Sequence, residues 1–242
     1  MSTPADSKST VDEIRARFDA DVERFSNLET GQTATIDAPL VLDLITDAAA
    51  RVNPAATSAL DIGCGAGNYT LRLLEKTRLL QVTLLDLSRP MLDRAGERLA
   101  AAGHSHFELH QTDVRAFDFP SQAYDIVLAA AVLHHLRDDS EWEHVFRQIF
   151  RSLKPGGSFW ISDLVIQEDD QVDAVMWDRY AAYLQSLGGP DYRDRVLAYV
   201  EREDTPRPLT WQLKLLERVG FATVEVLHKN SCFAAFGGLK AH

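Results

Sequence analysis

The sequence predicts an α/β protein built on a doubly wound, mostly parallel sheet of seven strands. Apolar, strand-like runs alternate with helical patterns along most of the chain, and this alternation is typical of a parallel sheet covered on both faces. Right-handed crossovers then make the sheet doubly wound. In addition, the first apolar run ends in a glycine-rich turn that leads directly into a helical pattern, as in ligand-binding sheets of this kind.

The composition limits the classes of function. A chain of 242 residues suits one α/β domain with additions, and a hydrophobic content of 45% supports a sizeable core. The formal net charge of −11 weighs against a nucleic-acid partner, whose phosphates would be repelled. The two cysteines form no metal or disulfide pattern, and no metal site is expected. Because no apolar signal core or bilayer-length run occurs, we expect a cytoplasmic monomer or homodimer that binds no membrane.

The N-terminal region, residues 1–37, is predicted to contain a loose polar tail at 1–10 and one amphipathic helix. Apolar residues from Val11 to Phe25 recur at intervals of three and four, which places them on one stripe of a helix. This helix either packs against the main domain, residues 38–242, or forms a lid over a ligand site.

The main domain is predicted to begin with a helix at 39–51. The predicted strands of the parallel part are 57–62, 80–86, 106–110, 124–130 and 158–164, and the helices between them are 67–77, 89–101 and 140–153. Ligands bind such sheets beyond the carboxyl ends of the strands. Four polar residues lie at or just after such ends: Asp61, Asp86, Asp113 and His134. Their convergence predicts one binding site.

After the fifth strand the pattern changes to a helical insert, residues 167–208, which is expected to cover this site. Two helices are predicted in the insert, at 172–187 and 192–203, separated by Gly188-Gly189-Pro190. The last predicted elements are a helix at 209–219 and two strands, 222–228 and 231–237, paired as a hairpin across Lys229-Asn230.

The glycine-rich turn favours one kind of ligand. Gly63, Gly65 and Gly67 allow a ligand to approach the backbone closely, and the start of the next helix offers unpaired N–H groups. The spacing is G-x-G-x-G rather than the G-x-G-x-x-G of dinucleotide sites, and Asp61 precedes it. A carboxylate there would repel a pyrophosphate but attract an ammonium. S-adenosylmethionine (SAM) carries an α-ammonium and no phosphate, so we predict a SAM site rather than an NAD site.

Asp86 is the second carboxylate expected at this site. It ends the second strand, 19 residues after Gly67 (86 − 67 = 19), where a ribose-binding carboxylate belongs in a βαβ unit. The alternative is that Asp86 only precedes the helix that Ser88 caps. We prefer ribose binding because the glycine turn and the 19-residue spacing are both typical of a nucleoside-binding βαβ unit.

Five stretches of the chain resemble the class I SAM-dependent methyltransferases. These stretches are 61–67 (DIGCGAG), 85–88 (LDLS) with Met91, 111–114 (QTDV), 124–127 (YDIV) with 133–136 (LHHL), and 153–158 (LKPGGS). They follow the family's order and spacing across residues 38–165. The resemblance implies the family's fold and transfer of a methyl group from SAM, with S-adenosylhomocysteine (SAH) as product. We expect a small-molecule acceptor.

The resemblance also implies which residues hold the cofactor. The loop 63–67 would bound the methionine and Asp61 would orient its ammonium. Asp86 would accept from the ribose hydroxyls and Asp113 from the adenine amino group. The complete set of expected cofactor residues is Asp61, Gly63, Cys64, Gly65, Gly67, Asp86, Leu87, Met91, Asp113, Val114, Ala129, Ala130 and His134.

Candidate residues for the acceptor side come from two places. His134 and His135, after the fourth strand, are possible general bases for an acceptor that must lose a proton, or they only line the pocket. In the insert, Trp177 and Tyr180 either pack at helical spacing or line an aromatic acceptor cavity, whose ring faces would favour the sulfonium charge.

A narrower resemblance concerns the C-terminal layout. The insert and the ending 231–240 (SCFAAFGGLK) are similar to the carboxy-SAM-dependent tRNA wobble-uridine carboxymethyltransferases and their relatives. Those enzymes hold the extra carboxylate with an arginine of the insert and an N-terminal tyrosine. Arg193 or Arg195 would supply the arginine, but residues 27–40 contain no tyrosine. Carboxy-SAM with such an activity is therefore the alternative cofactor and function, and a SAM-binding protein without catalysis is a third possibility.

Overall fold

The computed structural model describes residues 8–27 and 32–242. The predicted tail therefore lies outside the described residues except for residues 8–10, and so does the part of the next linker at 28–31. No helix in the described ranges combines the length and the apolar character that crossing a bilayer requires.

The predicted doubly wound, mostly parallel sheet of seven strands is confirmed. The strands are β1 (Ser58–Ile62), β2 (Gln81–Asp86), β3 (Phe107–Gln111), β4 (Tyr124–Ala130), β5 (Leu153–Leu164), β6 (Thr223–Asn230) and β7 (Phe233–Leu239). Their order is β3-β2-β1-β4-β5-β7-β6. The pairs from β3 to β5 are parallel, and β7 is antiparallel to both of its neighbours. The chain order reverses between β1 and β4, where sheets of this type bind their ligands.

Helices cover both faces of the sheet. They are α1 (Val11–Ala20), α2 (Val22–Ser26), α3 (Ala38–Val52), α4 (Asn68–Lys76), α5 (Arg89–Ala101), α6 (Asp139–Ser152), α7 (Asp170–Glu203) and α8 (Leu209–Val219). Alternate residues of β1 face opposite layers, because Leu60 packs with α6 and α8 whereas Ala59 packs with α3 and α4. Trp142 and Phe146 fill the first layer, and Ile45 and Leu73 the second.

The expectation of one continuous N-terminal helix is wrong, because the helix is interrupted at Asp21. This residue has φ −112° and ψ 13°, and it separates α1 from α2. Its N–H donates to the Phe18 carbonyl at 3.1 Å, the bond of a tight last turn rather than of a continuing α-helix. Asp is a weak helix former, which explains the break. The apolar stripe survives it, since the rings of Phe18 and Phe25 still pack 5.6 Å apart.

The C-terminal hairpin forms as predicted, but its turn lies at Ser231 and Cys232 instead of Lys229-Asn230. β6 continues through Asn230 because Asn230 and His228 both contact the Asp37 carboxylate, at 2.8 and 2.9 Å. The turn is anchored in the interior, since the Cys232 carbonyl accepts from the N–H of Val165 at 2.8 Å.

The insert contains the predicted break. Within α7, Gly188 and Gly189 have non-helical dihedrals, and Gly189 adopts φ 78° in front of Pro190. Positive φ is readily available only to glycine, and proline cannot donate the next helical hydrogen bond. The two halves of α7 therefore lie on either side of this break, and the second half ends beside the carboxyl edge of the sheet at Glu203.

Candidate active site

The carboxyl ends of the parallel strands border one cleft. Five of the expected cofactor residues line it: Gly63, Asp86, Leu87, Asp113 and Val114. Thr112, Val132 and His135 line it as well, and Val11 and Ile14 of α1 cover it. The cleft therefore runs along the strand ends of β3, β2, β1 and β4, in the order in which the strands stand in the sheet.

The glycine turn fits closely against its neighbours. Gly63, Gly65 and Gly67 all have positive φ, at 65°, 50° and 81°. The N–H groups of Gly63 and Cys64 both donate to the Leu85 carbonyl, at 2.7 and 3.1 Å. A Cβ at position 63 would lie 2.7 Å from the Val132 side chain, whereas one at position 65 would meet no atom within 4 Å. Gly63 is thus required by both conformation and space.

Asp86 fastens this turn to β2. Its two carboxylate oxygens accept from the N–H groups of Gly65 and Ser88, each at 2.8 Å. Burial raises the pKa of Asp86 to about 6, although the backbone hydrogen bonds act in the opposite direction. A hydroxyl donor arriving from the cleft would complete the coordination of these oxygens.

Asp61 lies behind the turn at the end of β1. It is 2% exposed and accepts from the hydroxyl of Thr70 at 2.6 Å. Burial raises its pKa to about 7, the Thr70 hydrogen bond opposes that shift, and the negative charge of Asp86 adds to it. Near neutral pH this carboxyl group therefore holds a proton for part of the time, and a cation beside it would release that proton.

Asp113 is held by an arginine that the sequence analysis did not identify. Arg115 donates through Nε and Nη2 to the Asp113 carboxylate at 2.8 and 2.5 Å, and it also reaches Glu141 at 3.0 Å. Burial would raise the pKa of Asp113, but the hydrogen bonds from Arg115 hold it below the usual value. Asp113 is consequently an ionised acceptor at the end of the cleft next to β3.

The other expected cofactor residues are not among the described residues that line the cleft. Met91 and Ala129 are buried in the core, each 1% exposed. The remaining members of this group are Asp61, Cys64, Gly65, Gly67, Ala130 and His134. Four of them are buried around the glycine turn or the start of the loop after β4, whereas Gly65 and Ala130 are half-buried.

Two histidines form the other end of the site. His134 and His135 belong to a short 3-10 helix, Leu133–His135, after β4. Nδ1 of His134 contacts Oδ1 of Asp163 on β5, whose second oxygen accepts from the His134 N–H at 3.1 Å. Burial lowers the pKa of His134, but Asp163 and Asp204 raise it more, to about 9. Burial and the charge of His134 hold the pKa of His135 well below its usual value.

Asp204, the residue that ends α7, completes this cluster. Its Oδ1 lies 3.5 Å from Nε2 of His134 and 3.3 Å from Nδ1 of His135. The next residue, Thr205, donates its N–H to the His134 carbonyl at 2.7 Å, which fixes the end of the insert to the loop. The sequence analysis missed Asp163 and Asp204. The strand-end rule would have found Asp163, but no sequence signal brings Asp204 here.

Helix α1 is attached to the same end of the insert. Arg17 donates to Oε2 of Glu203 at 2.9 Å, and its guanidinium stacks on the rings of Phe18 and Tyr199 at 4.1 and 4.2 Å. Phe18 in turn meets the ring of His135 edge-on, with 6.1 Å between centroids. The helix that covers the cleft is thereby held against the histidine cluster.

Replacing Arg17 by alanine is expected to lower the free energy of unfolding by about 2 kcal/mol. The reason is that Glu203, 3% exposed, would keep a single side-chain ion pair among the described residues, the one with Arg202 at 3.6 Å. Urea unfolding measures the change. Arg15→Ala is the matched control, because the Arg15–Asp12 pair on the same helix is largely exposed and should contribute below about 1 kcal/mol. Equal losses for both variants would contradict the prediction.

The expected acceptor residues of the insert lie apart from the cleft. Tyr180 is buried and packs against Trp177 and Phe233, with centroids 5.9 and 5.1 Å apart. Arg193 binds Asp194 and Gln185, and Arg195 is exposed above the ring of Tyr192. Within the described chain, Trp177, Tyr180, Arg193 and Arg195 are all absent from the cleft wall.

Comparison with known proteins identifies the family. The family model described as a methyltransferase domain matches residues 59–157, which run from β1 into the start of β5 and include the glycine turn. The 27-O-demethylrifamycin SV methyltransferase of Amycolatopsis mediterranei is 30% identical over 209 residues, 75% of each chain. The chain belongs to the class I SAM-dependent methyltransferases. It is an enzyme of that family, and its methyl donor is SAM.

Further similarities extend beyond this relative. A carboxy-S-adenosyl-L-methionine synthase of Campylobacter lari is 26% identical over 203 residues, which cover 82% of this methyltransferase and 84% of the synthase. Among solved structures, the mitomycin 7-O-methyltransferase MmcR superposes with a TM-score of 0.62 at 19% identity, over 96% of this chain and 61% of that one. The latter similarity supports the fold.

Proposed function

We propose that this methyltransferase transfers the methyl group of SAM to an oxygen atom of a small-molecule acceptor. The observation that carries the proposal is the cleft whose wall includes Asp113, Asp86, Gly63 of the glycine turn and His135. Two similar proteins are named for 27-O-demethylrifamycin SV and for the 7-O position of mitomycin, which supports a small oxygen acceptor. The net charge of −11 also favours a small molecule over a nucleic acid.

The residues of the cleft suggest how the donor is held. The proposed roles are that Asp86 accepts from the ribose hydroxyls, that Asp113 and Val114 hold the adenine, and that the glycine turn and Asp61 hold the methionine. Because Asp61 lies one layer behind the turn, it acts on the ammonium through its field or through water. The methyl group then faces the loop that carries the histidines, beyond β4.

Methyl transfer from a sulfonium is an in-line displacement. A lone pair of the acceptor oxygen forms the new bond to the methyl carbon while the carbon–sulfur bond breaks and its electrons stay on the sulfur of SAH. The proton of the acceptor hydroxyl passes to neutral His135 in the cleft wall and from there to solvent. The donor is already activated, so the protein mainly orients the two reactants and excludes water. We propose that α1 and the insert, residues 167–208, provide that exclusion, which agrees with the lid expected in residues 1–37.

Binding of carboxy-SAM is a second candidate, supported by the carboxy-S-adenosyl-L-methionine synthases among the relatives. The local charges weigh against it. The carboxylates of Asp163 and Asp204 flank His134, and a further carboxylate on the donor would be repelled unless a cation accompanied it. Arg193 is engaged with Asp194 and Gln185, so it would have to rearrange to serve as that cation.

Titration calorimetry with SAH tests the proposal through its pH dependence. The ammonium and ribose of SAH require ionised Asp61 and Asp86, whose pKa values in the free protein are about 7 and about 6. Protons must therefore leave on binding at low pH. We expect micromolar affinity at pH 8 and roughly tenfold weaker binding near pH 6, the direction that linkage requires.

Three outcomes are decisive. Absence of SAM and SAH binding by folded protein would refute the donor site. Affinity that does not change between pH 6 and pH 8 would refute the roles of the two carboxylates. A preference for carboxy-SAM over SAM by more than about tenfold, or about 1.4 kcal/mol, would favour the second candidate.

A further inference from the structure

We propose that His134, His135 and Asp204 bind one divalent transition-metal ion at the end of the cleft. The potential ligand atoms of these three side chains all lie within 4.8 Å of one another. No metal is expected from the sequence, and it is the fold that brings Asp204, at the end of the insert, to the two adjacent histidines. Unpaired ligand atoms, their spacing and the support behind His134 all favour a bound ion.

Two of the three potential ligand residues have buried ligand atoms without a hydrogen bond of good geometry. Among the described residues, these atoms are Oδ1 of Asp204 and the ring nitrogens of His135, although the Glu203 backbone lies close enough to that ring to act on its pKa. Asp204 is 5% exposed. A buried polar atom without a partner costs about 1–3 kcal/mol. One ion can bind only one nitrogen of an imidazole ring, and a cation between Nδ1 of His135 and Oδ1 of Asp204 would satisfy these two atoms together.

Nearby cations do not fill this role. Arg17 binds the Glu203 carboxylate at 2.9 Å, and Lys8 donates to the backbone carbonyl of Asp204 at 2.7 Å. Arg137 likewise donates to the Glu203 carbonyl, at 2.5 Å. Each of these three cations is therefore engaged with another oxygen, and the cationic partner of Oδ1 of Asp204 is protonated His134 itself, whose Nε2 proton a metal ion would replace.

The spacing of the ligand atoms matches a small metal ion. Two ligands at about 2.1 Å from a tetrahedral ion lie about 3.4 Å apart. Oδ1 of Asp204 lies 3.5 Å from Nε2 of His134 and 3.3 Å from Nδ1 of His135. Both contacts lie within ion-pair distance, but neither has the geometry of a hydrogen bond. These two nitrogen–oxygen distances are therefore already close to those between ligands of one metal ion.

Asp163 provides the support that metal-binding histidines usually have. An ionised carboxylate only accepts, so its contact with Nδ1 of His134 keeps a proton there, and a metal ion would bind by replacing the second proton, on Nε2, the atom near Asp204. Asp163 is itself fixed, because Oδ1 accepts from the N–H of Leu164 at 2.7 Å. A carboxylate behind a ligating histidine orients the ring and increases its basicity.

The ligand types select the class of metal. Two imidazoles and one carboxylate suit Zn²⁺, Fe²⁺, Mn²⁺ or Co²⁺ better than Mg²⁺ or Ca²⁺, which prefer oxygen ligands. Three protein ligands leave at least one coordination position open. His135 also lines the cleft, so the open position borders the space proposed for the acceptor. Binding of an acceptor oxygen at this open position rests on the proposed function. The metal site itself does not depend on that function.

Metal titration of the full chain tests the site. Protein freed of metal with a chelator is titrated with ZnCl₂ by calorimetry and with CoCl₂ by visible absorption. We expect one Zn²⁺ per chain and a Co²⁺ spectrum of low coordination number. Asp204→Asn and His135→Ala should each weaken Zn²⁺ binding by at least about 100-fold, and Asp163→Asn by about tenfold to 100-fold. His110→Ala is the matched control, because His110 pairs with Glu108 at the exposed β3 edge and should leave the affinity unchanged.

The same preparations separate this proposal from the proposed function. SAH calorimetry on each variant reports whether the donor site is folded, and Asp204→Asn, which preserves shape, gives an answer if His135→Ala does not fold. Zn²⁺ binding that fails in a wild-type protein able to bind SAH would overturn the metal site alone. Binding of Zn²⁺ to Asp204→Asn with wild-type affinity would overturn it as well, because the ion would then lie elsewhere. Loss of SAH binding with intact Zn²⁺ binding would instead refute the donor site.

Discussion

Gly63→Ala is expected to lower the free energy of unfolding by about 3 kcal/mol and to weaken SAH binding by at least about 100-fold. An alanine at φ 65° is strained, and its Cβ would lie 2.7 Å from Cβ and Cγ2 of Val132. Relief of that overlap moves the glycine turn or the loop after β4, which are two walls of the same cleft. Urea unfolding and SAH calorimetry measure the two effects.

The matched control for this variant is Gly103→Ala. Gly103 also has positive φ, at 88°, but a Cβ there meets no atom within 4 Å. The conformational cost alone remains, about 1 kcal/mol, and SAH affinity should not change. Similar effects of the two variants would show that the approach to Val132 is unimportant, and normal SAH binding by Gly63→Ala would refute the proposed course of the donor along the turn.

Asp86→Ala is expected to weaken SAH binding by about 100-fold, or roughly 3 kcal/mol, at pH 8. The proposed ribose contacts are charge-assisted, and their loss is compounded because the N–H groups of Gly65 and Ser88 lose the acceptor that orders the turn. Calorimetry with SAH gives the affinity, and circular dichroism confirms that the variant is folded.

The control for Asp86→Ala is Asp93→Ala. Asp93 lies on the exposed surface of α5, where it pairs with Arg89 at 2.8 Å. Asp93 carries the same charge as Asp86 in the same part of the protein. Its replacement therefore shows how much of the effect on SAH binding comes from losing one negative charge rather than a direct contact. SAH affinity should be unchanged in this variant. A comparable loss in both variants would attribute the effect to net charge and would remove the ribose-binding role of Asp86.

The sheet was predictable because its determinants are local. Each parallel strand reads as an apolar run bounded by polar or glycine residues, and α5 and β4 have the predicted bounds, 89–101 and 124–130. The acids at the strand ends could be placed by topology alone, since parallel strands end at one edge. The cleft then joins Asp86 to Asp113, whereas Asp61 lies behind it.

The parts that sequence patterns did not predict depend on distant contacts. Asp21 interrupts the N-terminal helix without disturbing its apolar spacing, so periodicity alone could not reveal the break. The hairpin turn moved to Ser231 and Cys232 because Asp37, remote in sequence, holds the end of β6. Asp204 joins the histidines only because the second half of α7 folds back to the sheet edge. These features are set by tertiary structure rather than by local propensity.

The position of α1 has a consequence for turnover. Val11 and Ile14 line the cleft, and Phe18 on the same helix meets the ring of His135. Rigid displacement of this one helix would therefore open the cleft and break the contact with His135 at the same time. We therefore expect the release of SAH and the entry of the acceptor to require the same movement of α1. The rate at which this helix opens would then set the maximal turnover rate.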